Sequence, residues 1–466
     1  MNTSLKHPLR TANRIAAFLL LAFLLVLTGC FETQRVFWSP DGKQAVVLGG
    51  DDGLLYLSDA QGNLSDQLLS NVETVAWFSD SRRLVLAREE SYTNWSAISA
   101  VLLPEQRDTV RSLAERLLSQ LESGKTLDQI GQDAKESDHP YLEACALYVR
   151  DEFPERLANA LKNTTNNLDQ VKAGLACLQT VRVDDRTIVP GPVLAREFSG
   201  VWNIRIAPND QAIAYTTMED ELDVLALSVV PANGDQPAQL VDVFVSAYPD
   251  WTPDSQSLFY IRSASEHDSQ KDLELASIVR RRVVDTNGAV NISNDTVEPA
   301  GLLFNPLAKV RCLRDGRIIF AAAELHLPAT TDDMPQREQF FALDPQRQAT
   351  LTPLVPRGNI GSLPESLAWF EVSPDEKQIV VGGEKSSVAL FTIAGGGVAI
   401  VQPGSAKDTK IMPVWRVPDE FCYGFVFSRT NQTNVEIKTE LALWQKGKPV
   451  ILSTNWPEEV RKGLLK

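Results

Sequence analysis

Short apolar runs alternate with turn-forming residues over most of the chain. The clearest instance is Val36-Phe37-Trp38, then Ser39-Pro40-Asp41-Gly42-Lys43, then Ala45-Val46-Val47-Leu48. Proline presets the backbone of a first turn position, aspartate bonds its own backbone, and glycine accepts a positive φ. The β-branched and aromatic flanks suit half-buried pleated strands. The pattern therefore predicts a β-hairpin, and it recurs over Val75–Leu86, Ile204–Tyr215, Tyr248–Tyr260, Lys309–Phe320, Phe370–Val381 and Val414–Tyr423. The second copy lacks both the proline and the Asp-Gly, the fifth lacks the proline, and the seventh is degenerate. A further pair of strands is expected after each copy, as Leu54–Asn63 and Val388–Gly396 illustrate.

Taking the position of Trp38 as the anchor, the copies fall at 38, 78, 206, 251, 312, 372 and 416, with gaps of 40, 128, 45, 61, 60 and 44. Five of these gaps suit one four-stranded blade of a β-propeller. The long one holds a blade plus an insertion of roughly 80 residues. Within it, Val110, Leu113, Ala114, Leu117, Leu118 and Leu121 keep helical spacing and Gly124 ends the run. Tyr141–Val149, Pro154–Leu161 and Leu168–Leu178 read as further short helices. The expected fold is mainly β: a β-propeller of about seven four-stranded blades, six or eight being the neighbouring counts, with an α-helical insertion between blades two and three. The expected divisions are blades one and two over 30–103, the insertion over 104–190 and the remaining blades over 191–466. A β-sandwich with Asp-Gly turns is the rival architecture.

The repeat resembles the TolB-type propeller repeat, a relative of the WD-repeat blades, whose core reads roughly Trp-Ser-Pro-Asp-Gly-Lys before an apolar strand. The resemblance spans most of the chain outside the insertion and is close at Trp38 and Trp251. It implies a role in protein complexes of the cell envelope. The motif residues are structural in that family, so it assigns no binding residue here.

The N-terminus adds an address. Lys6, Arg10 and Arg14 precede an apolar run, Ile15–Leu27, of 13 residues, short of the roughly 20 a spanning helix needs. Leu27-Thr28-Gly29-Cys30 follows and resembles the lipobox of bacterial lipoproteins. That resemblance implies a signal peptide over 1–29 and a diacylglycerol on the Cys30 thiol, tethering the chain outside the cytoplasm. An uncleaved N-terminal anchor is the other reading. Phe31, where an aspartate would hold many such proteins at the inner membrane, points to the outer membrane.

With 45 Lys+Arg against 60 Asp+Glu the net charge is −15, and removal of the signal would make the chain more acidic still. This argues against nucleic acid and against electrostatic adhesion to anionic lipid. Cys145 and Cys177 fall in the expected helical segment, where a disulfide between them and two free thiols both fit. Cys312 and Cys422 read as buried free thiols. Gly49-Gly50-Asp51-Asp52-Gly53 lacks the alternating oxygen ligands of a calcium loop and reads as a tight hairpin. Arg280-Arg281-Arg282 reads as solvated charge on an edge strand. The tryptophans at 38, 77, 202, 251, 369 and 415 read as core between blades.

Candidate chemistry is sparse. The chain has no Gly-x-Ser-x-Gly elbow, no His-Glu-x-x-His and no phosphate-cradling glycine loop. His7, His139, His267 and His326 are isolated. The expectation is a non-enzymatic, cofactor-free and metal-free lipoprotein that binds or scaffolds a protein or peptide partner. The rivals are a ligand or glycan sensor using the propeller channel and a propeller hydrolase or lyase.

Overall fold

In the computed structural model, residues 34–465 are described except 51, 163–167, 169, 185, 219–224, 264–272, 285–288, 294, 299–301, 306–307, 325–336, 348–349, 357–360, 365–366, 368, 384–385, 406–410 and 432–433. The expected signal peptide and Cys30 lie outside the described residues.

All sheets are antiparallel, and all but the nine-stranded one take their strands in sequence order. The first holds β1 (Val36–Trp38), β2 (Gln44–Gly49) and β3 (Leu54–Asp59). The second holds β4 (Val72–Trp77), β5 (Arg83–Tyr92), β6 (Ala173–Asp184) and β7 (Thr187–Glu197). The third holds β8 (Gly200–Ile206), β9 (Ala212–Met218), β10 (Leu225–Pro231) and β11 (Gln239–Val243). A nine-stranded sheet follows. Its first part is β12 (Asp250–Trp251), β13 (Ser257–Ser263), β14 (Glu274–Arg282), β15 (Asp295–Glu298) and β16 (Leu302–Phe304). Its second is β17 (Val310–Cys312), β18 (Ile318–Glu324), β19 (Glu338–Asp344) and β20 (Thr350–Pro353). The last two sheets are β21 (Trp369–Val372), β22 (Gln378–Gly383), β23 (Ser387–Thr392) and β24 (Val398–Gln402), then β25 (Val414–Val417), β26 (Glu420–Asn431), β27 (Asn434–Gln445) and β28 (Lys448–Ile451).

The fold is a β-propeller, but seven separate four-stranded blades are not what forms. Five sheets are separate, and the copies anchored at Trp251 and Cys312 merge into the nine-stranded one. The cause is the apolar run Leu302-Leu303-Phe304. It pairs with β14 on one side (Leu303 with Leu275) and with β18 on the other (Leu303 with Ala323). Leu302 and Phe304 are buried in one core with Ile278 and Phe320, so a connection that would separate two blades instead welds them.

The helices of the middle segment also sit elsewhere than expected. They are α1 (Trp95–Val101), α2 (Pro104–Glu122), α3 (Leu127–Asp133), α4 (Leu142–Glu152) and α5 (Pro154–Leu161). All five lie between β5 and β6, inside the second sheet rather than between two sheets. The second sheet is therefore incomplete at residue 103 and is finished by β6 and β7, which corrects the divisions at 104–190 and 191–466. Leu168–Leu178 is not a helix. Residues 173–182 instead pair with β5 from Tyr92 back to Arg83. An apolar run such as Leu175-Ala176-Cys177-Leu178 suits either state locally, and ten cross-strand partners settle it. The hairpin tip shares a core with the helices, in which Trp95, Ile98, Val110, Leu118 and Leu147 pack with Ala173 and Leu175 of β6.

The turns that define the repeat do more than reverse the chain. Gly42, Ser81, Asp210, Ser255, Gly316 and Glu376 all have positive φ at the equivalent place. Where that residue is not glycine, its side chain accepts a backbone N–H from the turn of the preceding copy. Ser81 Oγ accepts from Asp41 (3.1 Å), Asp210 Oδ1 from Ser79 (3.1 Å), Ser255 Oγ from Asn209 (3.1 Å) and Glu376 Oε1 from Arg314 (3.0 Å). Departures from Asp-Gly thus trade backbone ease for a staple between neighbouring turns. Asp210→Ala, which keeps the strained φ and loses the bonds from Ser79 N and Oγ, should destabilise by about 2 kcal/mol. Asp210→Gly should recover about 1 kcal/mol of that by relieving φ. Urea denaturation of both variants checks the order.

Candidate functional site

Successive first strands of the hairpins lie side by side around an axis. β1 touches β4 and β25, β4 touches β8, β8 touches β12, and β12 touches β17. The residue before each repeat anchor faces this axis, and the anchors Trp38, Trp77 and Ile206 reach it as well. In the structure the second copy's anchor is Trp77, one residue earlier than the spacing placed it, so those residues are Phe37, Ala76, Arg205, Asp250, Arg311, Glu371 and Trp415, and every one lines an axial cavity of about 290 Å³.

The four charged members are consecutive in that series, and Asp250, Arg311 and Glu371 form one network with Lys309. Glu371 accepts from Lys309 Nζ with one carboxylate oxygen and from Arg311 Nη2 (2.5 Å) with the other. Asp250 accepts from the Cys312 backbone N–H at 2.9 Å and lies 3.6 Å from Arg311 Nη1. Lys309 is 1% exposed, and its ammonium sits 4.1 Å from the Trp369 ring centroid. Burial lowers the Lys309 pKa to about 8, with Glu371 opposing the shift. Burial also raises the Asp250 carboxyl above its ordinary range, against the neighbouring Arg205. Arg205 Nε and Asn203 Nδ2 are buried and make no hydrogen bond.

The tryptophans act between sheets. Nε1 of Trp77 donates to Phe37 O (2.8 Å), that of Trp251 to Arg205 O (2.9 Å), that of Trp369 to Pro413 O (3.0 Å) and that of Trp415 to Glu371 O (2.8 Å). Trp38 Nε1 points to Cys422 Sγ at 3.3 Å, joining the first sheet to the last.

A second concavity, about 820 Å³, lies between the helices, β7 and the third sheet. Leu103, Leu240 and Val243, exposed by 49%, 59% and 38%, stand in its wall. β11 ends its sheet there. In the same wall Tyr141 packs on Phe198 with ring centroids 4.5 Å apart. Glu197, its carboxyl pKa raised by burial, accepts from the Tyr215 hydroxyl at 2.5 Å.

Of the residues singled out in the sequence, Trp38, Trp77 and Trp415 line the axial cavity, while the described cysteines, His139 and the arginine triplet fall outside both concavities. Cys145 is buried in α4, with its thiol against Val110 O at 3.5 Å, and Cys177 is buried on β6. Both are free, so no disulfide joins them: one belongs to a helix and the other to the strand that replaces the expected helix. Burial pushes the Cys145 thiol up to about 12 and the Cys177 thiol up to about 11. Neither should react with iodoacetamide in the native protein, both should react on unfolding, and dithiothreitol should leave the melting temperature unchanged; mass spectrometry counts the labels. His139 lies in a short 3₁₀ turn, and His7, His267 and His326 lie outside the described residues. Gly49 to Gly53 connects β2 to β3, with Gly49 paired to Leu54. The arginine triplet is not on an edge, since β14 is flanked by β13 and β15. Arg281 donates to Val241 O and Arg282 to Gln256 Oε1 at 3.0 Å. Among the described residues no group of three or more His, Cys, Asp or Glu is placed to hold a metal ion.

The sequence reading missed the axial charges because each is a single charged residue in an apolar strand. The column one residue before the repeat anchors carries them, and aligning the copies on Trp38 brings them into line.

No protein-family model matches the chain, and no curated protein sequence matches it. Solved structures do. TolB of Acinetobacter baumannii is 15% identical with a TM-score of 0.34, covering 57% of this chain and 56% of that one. The hydrazine synthase of Kuenenia stuttgartiensis is 10% identical with a TM-score of 0.44, covering 78% and 77%. An oligogalacturonate lyase of Vibrio parahaemolyticus is 10% identical with a TM-score of 0.39, covering 78% and 75%. The chain thus spans just over half the length of the TolB structure it is similar to, and its propeller fold is read from its own sheets.

Proposed function

We propose that the protein is a non-enzymatic cell-envelope lipoprotein, tethered through Cys30 to the outer membrane, whose propeller binds or scaffolds a protein or peptide partner. The observation that carries the binding role is the groove beside the helices. Leu103, Leu240 and Val243 expose apolar surface in one concave wall, next to β11, the last strand of its sheet. A sheet edge flanked by apolar side chains supplies main-chain hydrogen bonds and side-chain pockets to an extended segment. The anchor rests on Lys6 to Arg14, Ile15–Leu27 and the lipobox-like Leu27–Cys30. Among the described residues no helix is long and apolar enough to cross a membrane.

A photo-crosslinking residue at position 240, in cells, should give a discrete adduct that Leu103→Arg abolishes. The same probe at Val450, exposed by 40% on the last sheet, should give none. Absence of a position-240 adduct would refute the groove. Labelled palmitate should enter the protein and be lost in Cys30→Ala; incorporation in both would refute the anchor.

A further inference from the structure

The axial cavity carries an imbalance that the groove reading does not use. Its wall and the layer behind it bring Arg205, Lys309 and Arg311 together with two acids, Asp250 and Glu371. Both acids are engaged within the wall: Glu371 by Lys309 and Arg311, Asp250 by the Cys312 N–H and the nearby Arg311. Arg205 is the third cation against two acids: it lies near Asp250 but makes no ion-pair contact with either acid among the described residues, and its buried Nε makes no hydrogen bond. Asn203, two residues earlier on β8 and therefore on the same side of the strand, also lines the cavity with a buried, unbonded Nδ2. Buried donors without partners cost about 1–3 kcal/mol each, and a guanidinium fork matches a carboxylate in geometry as well as charge. The rest of the lining includes Phe37, Trp77, Ile206 and Val414, and about 290 Å³ suits a body of only a few carbons. We propose that the propeller axis binds a small organic carboxylate, its oxygens on Arg205 and Asn203 and its short apolar tail against the aromatic wall.

The site is independent of the groove, so each reading stands or falls alone. Trp38, Trp77 and Trp415 line the same cavity, and their fluorescence reports occupancy. Titration of the full-length protein with acetate, butyrate and hexanoate at constant ionic strength, with sodium chloride as control, should give a saturable one-to-one response, tightest for hexanoate and absent for chloride. Calorimetry under the same conditions should agree. Arg205→Gln should raise Kd at least tenfold. Asn203→Asp, which sets a negative charge against the ligand at nearly unchanged size, should do the same if Arg205→Gln fails to fold, as read by circular dichroism. Leu240→Arg, in the groove, should leave carboxylate binding unchanged. No saturable response to any of the three acids would overturn the proposal, as would wild-type affinity in a folded Arg205→Gln or Asn203→Asp variant, or loss of binding in Leu240→Arg.

Discussion

Glu371→Ala should lower the unfolding free energy by about 3–5 kcal/mol, the loss expected when one partner of a buried ion pair is removed. The variant leaves Lys309, 1% exposed, without the carboxylate it donates to, and takes a 2.5 Å partner from Arg311. Asp250 is the other acid that acts on Lys309, and it already serves Cys312. Lys309→Met with Glu371→Leu should recover part of the loss, because the buried lysine is gone, while Arg311 keeps only Asp250 at 3.6 Å. Chemical denaturation of the two proteins tests the order. A pH series isolates the lysine. With a folded pKa of about 8 against 10.5 for an ordinary lysine, the folded state has released a proton between those values that the unfolded chain still holds. The burial penalty is therefore complete below pH 8 and fades as pH rises to 10.5. The stability of the wild type minus that of Lys309→Met should move in favour of the wild type by up to about 3 kcal/mol across that window. The thiols of Cys145, Cys177, Cys312 and Cys422, all raised by desolvation, act in the opposite direction but are common to both proteins. A flat or reversed difference would contradict the assignment.

The hairpins were legible from sequence because turn chemistry and β-branched flanks are local. Ser39 Oγ to Asp41, and the Lys43 N–H to Asp41, are contacts of neighbours along the chain. So was α2, whose apolar stripe from Val110 to Leu121 is the face it buries. What escaped depends on partners distant in sequence. Residues 175–178 become strand only because Glu90 to Ala87 lie opposite. Leu302-Leu303-Phe304 joins two blades only because β14 and β18 both present open edges to it. The axial site is intermediate. Arg205, Asp250, Arg311 and Glu371 occupy one column of the repeat, and that column is visible in the sequence. That the column faces a shared cavity is visible only once the first strands stand side by side.

Closure of the ring gives the second large effect, at Gly42. The first and last sheets meet where Arg416 Nε donates to Gly42 O at 2.8 Å, beside the Trp38–Cys422 contact. Gly42 has φ +67°, and a Cβ there would stand 2.7 Å from Val417 Cγ1 and 3.0 Å from Arg416 O. Gly42→Ala therefore combines a left-handed backbone with a clash against the strand that closes the ring, and should destabilise by about 3 kcal/mol or more. Gly124, φ +89° at the end of α2, provides the matched control, since a Cβ there meets nothing within 4 Å. Gly124→Ala should cost only the conformational share, about 1 kcal/mol. The difference between the two variants is the steric contribution at the seam. It should be read in structure as well as energy. A second latch holds the same seam, with Trp456 Nε1 on Gly62 O at 2.7 Å and Val460 of α6 (Glu458–Leu465) packed on β2 at Gly49. Gly42→Ala should load that latch, so early cleavage by a protease under native conditions should move to the residues after Ile451 in this variant and not in Gly124→Ala. Equal destabilisation by the two substitutions, or an unchanged cleavage pattern, would mean that the ring is not held closed at Gly42.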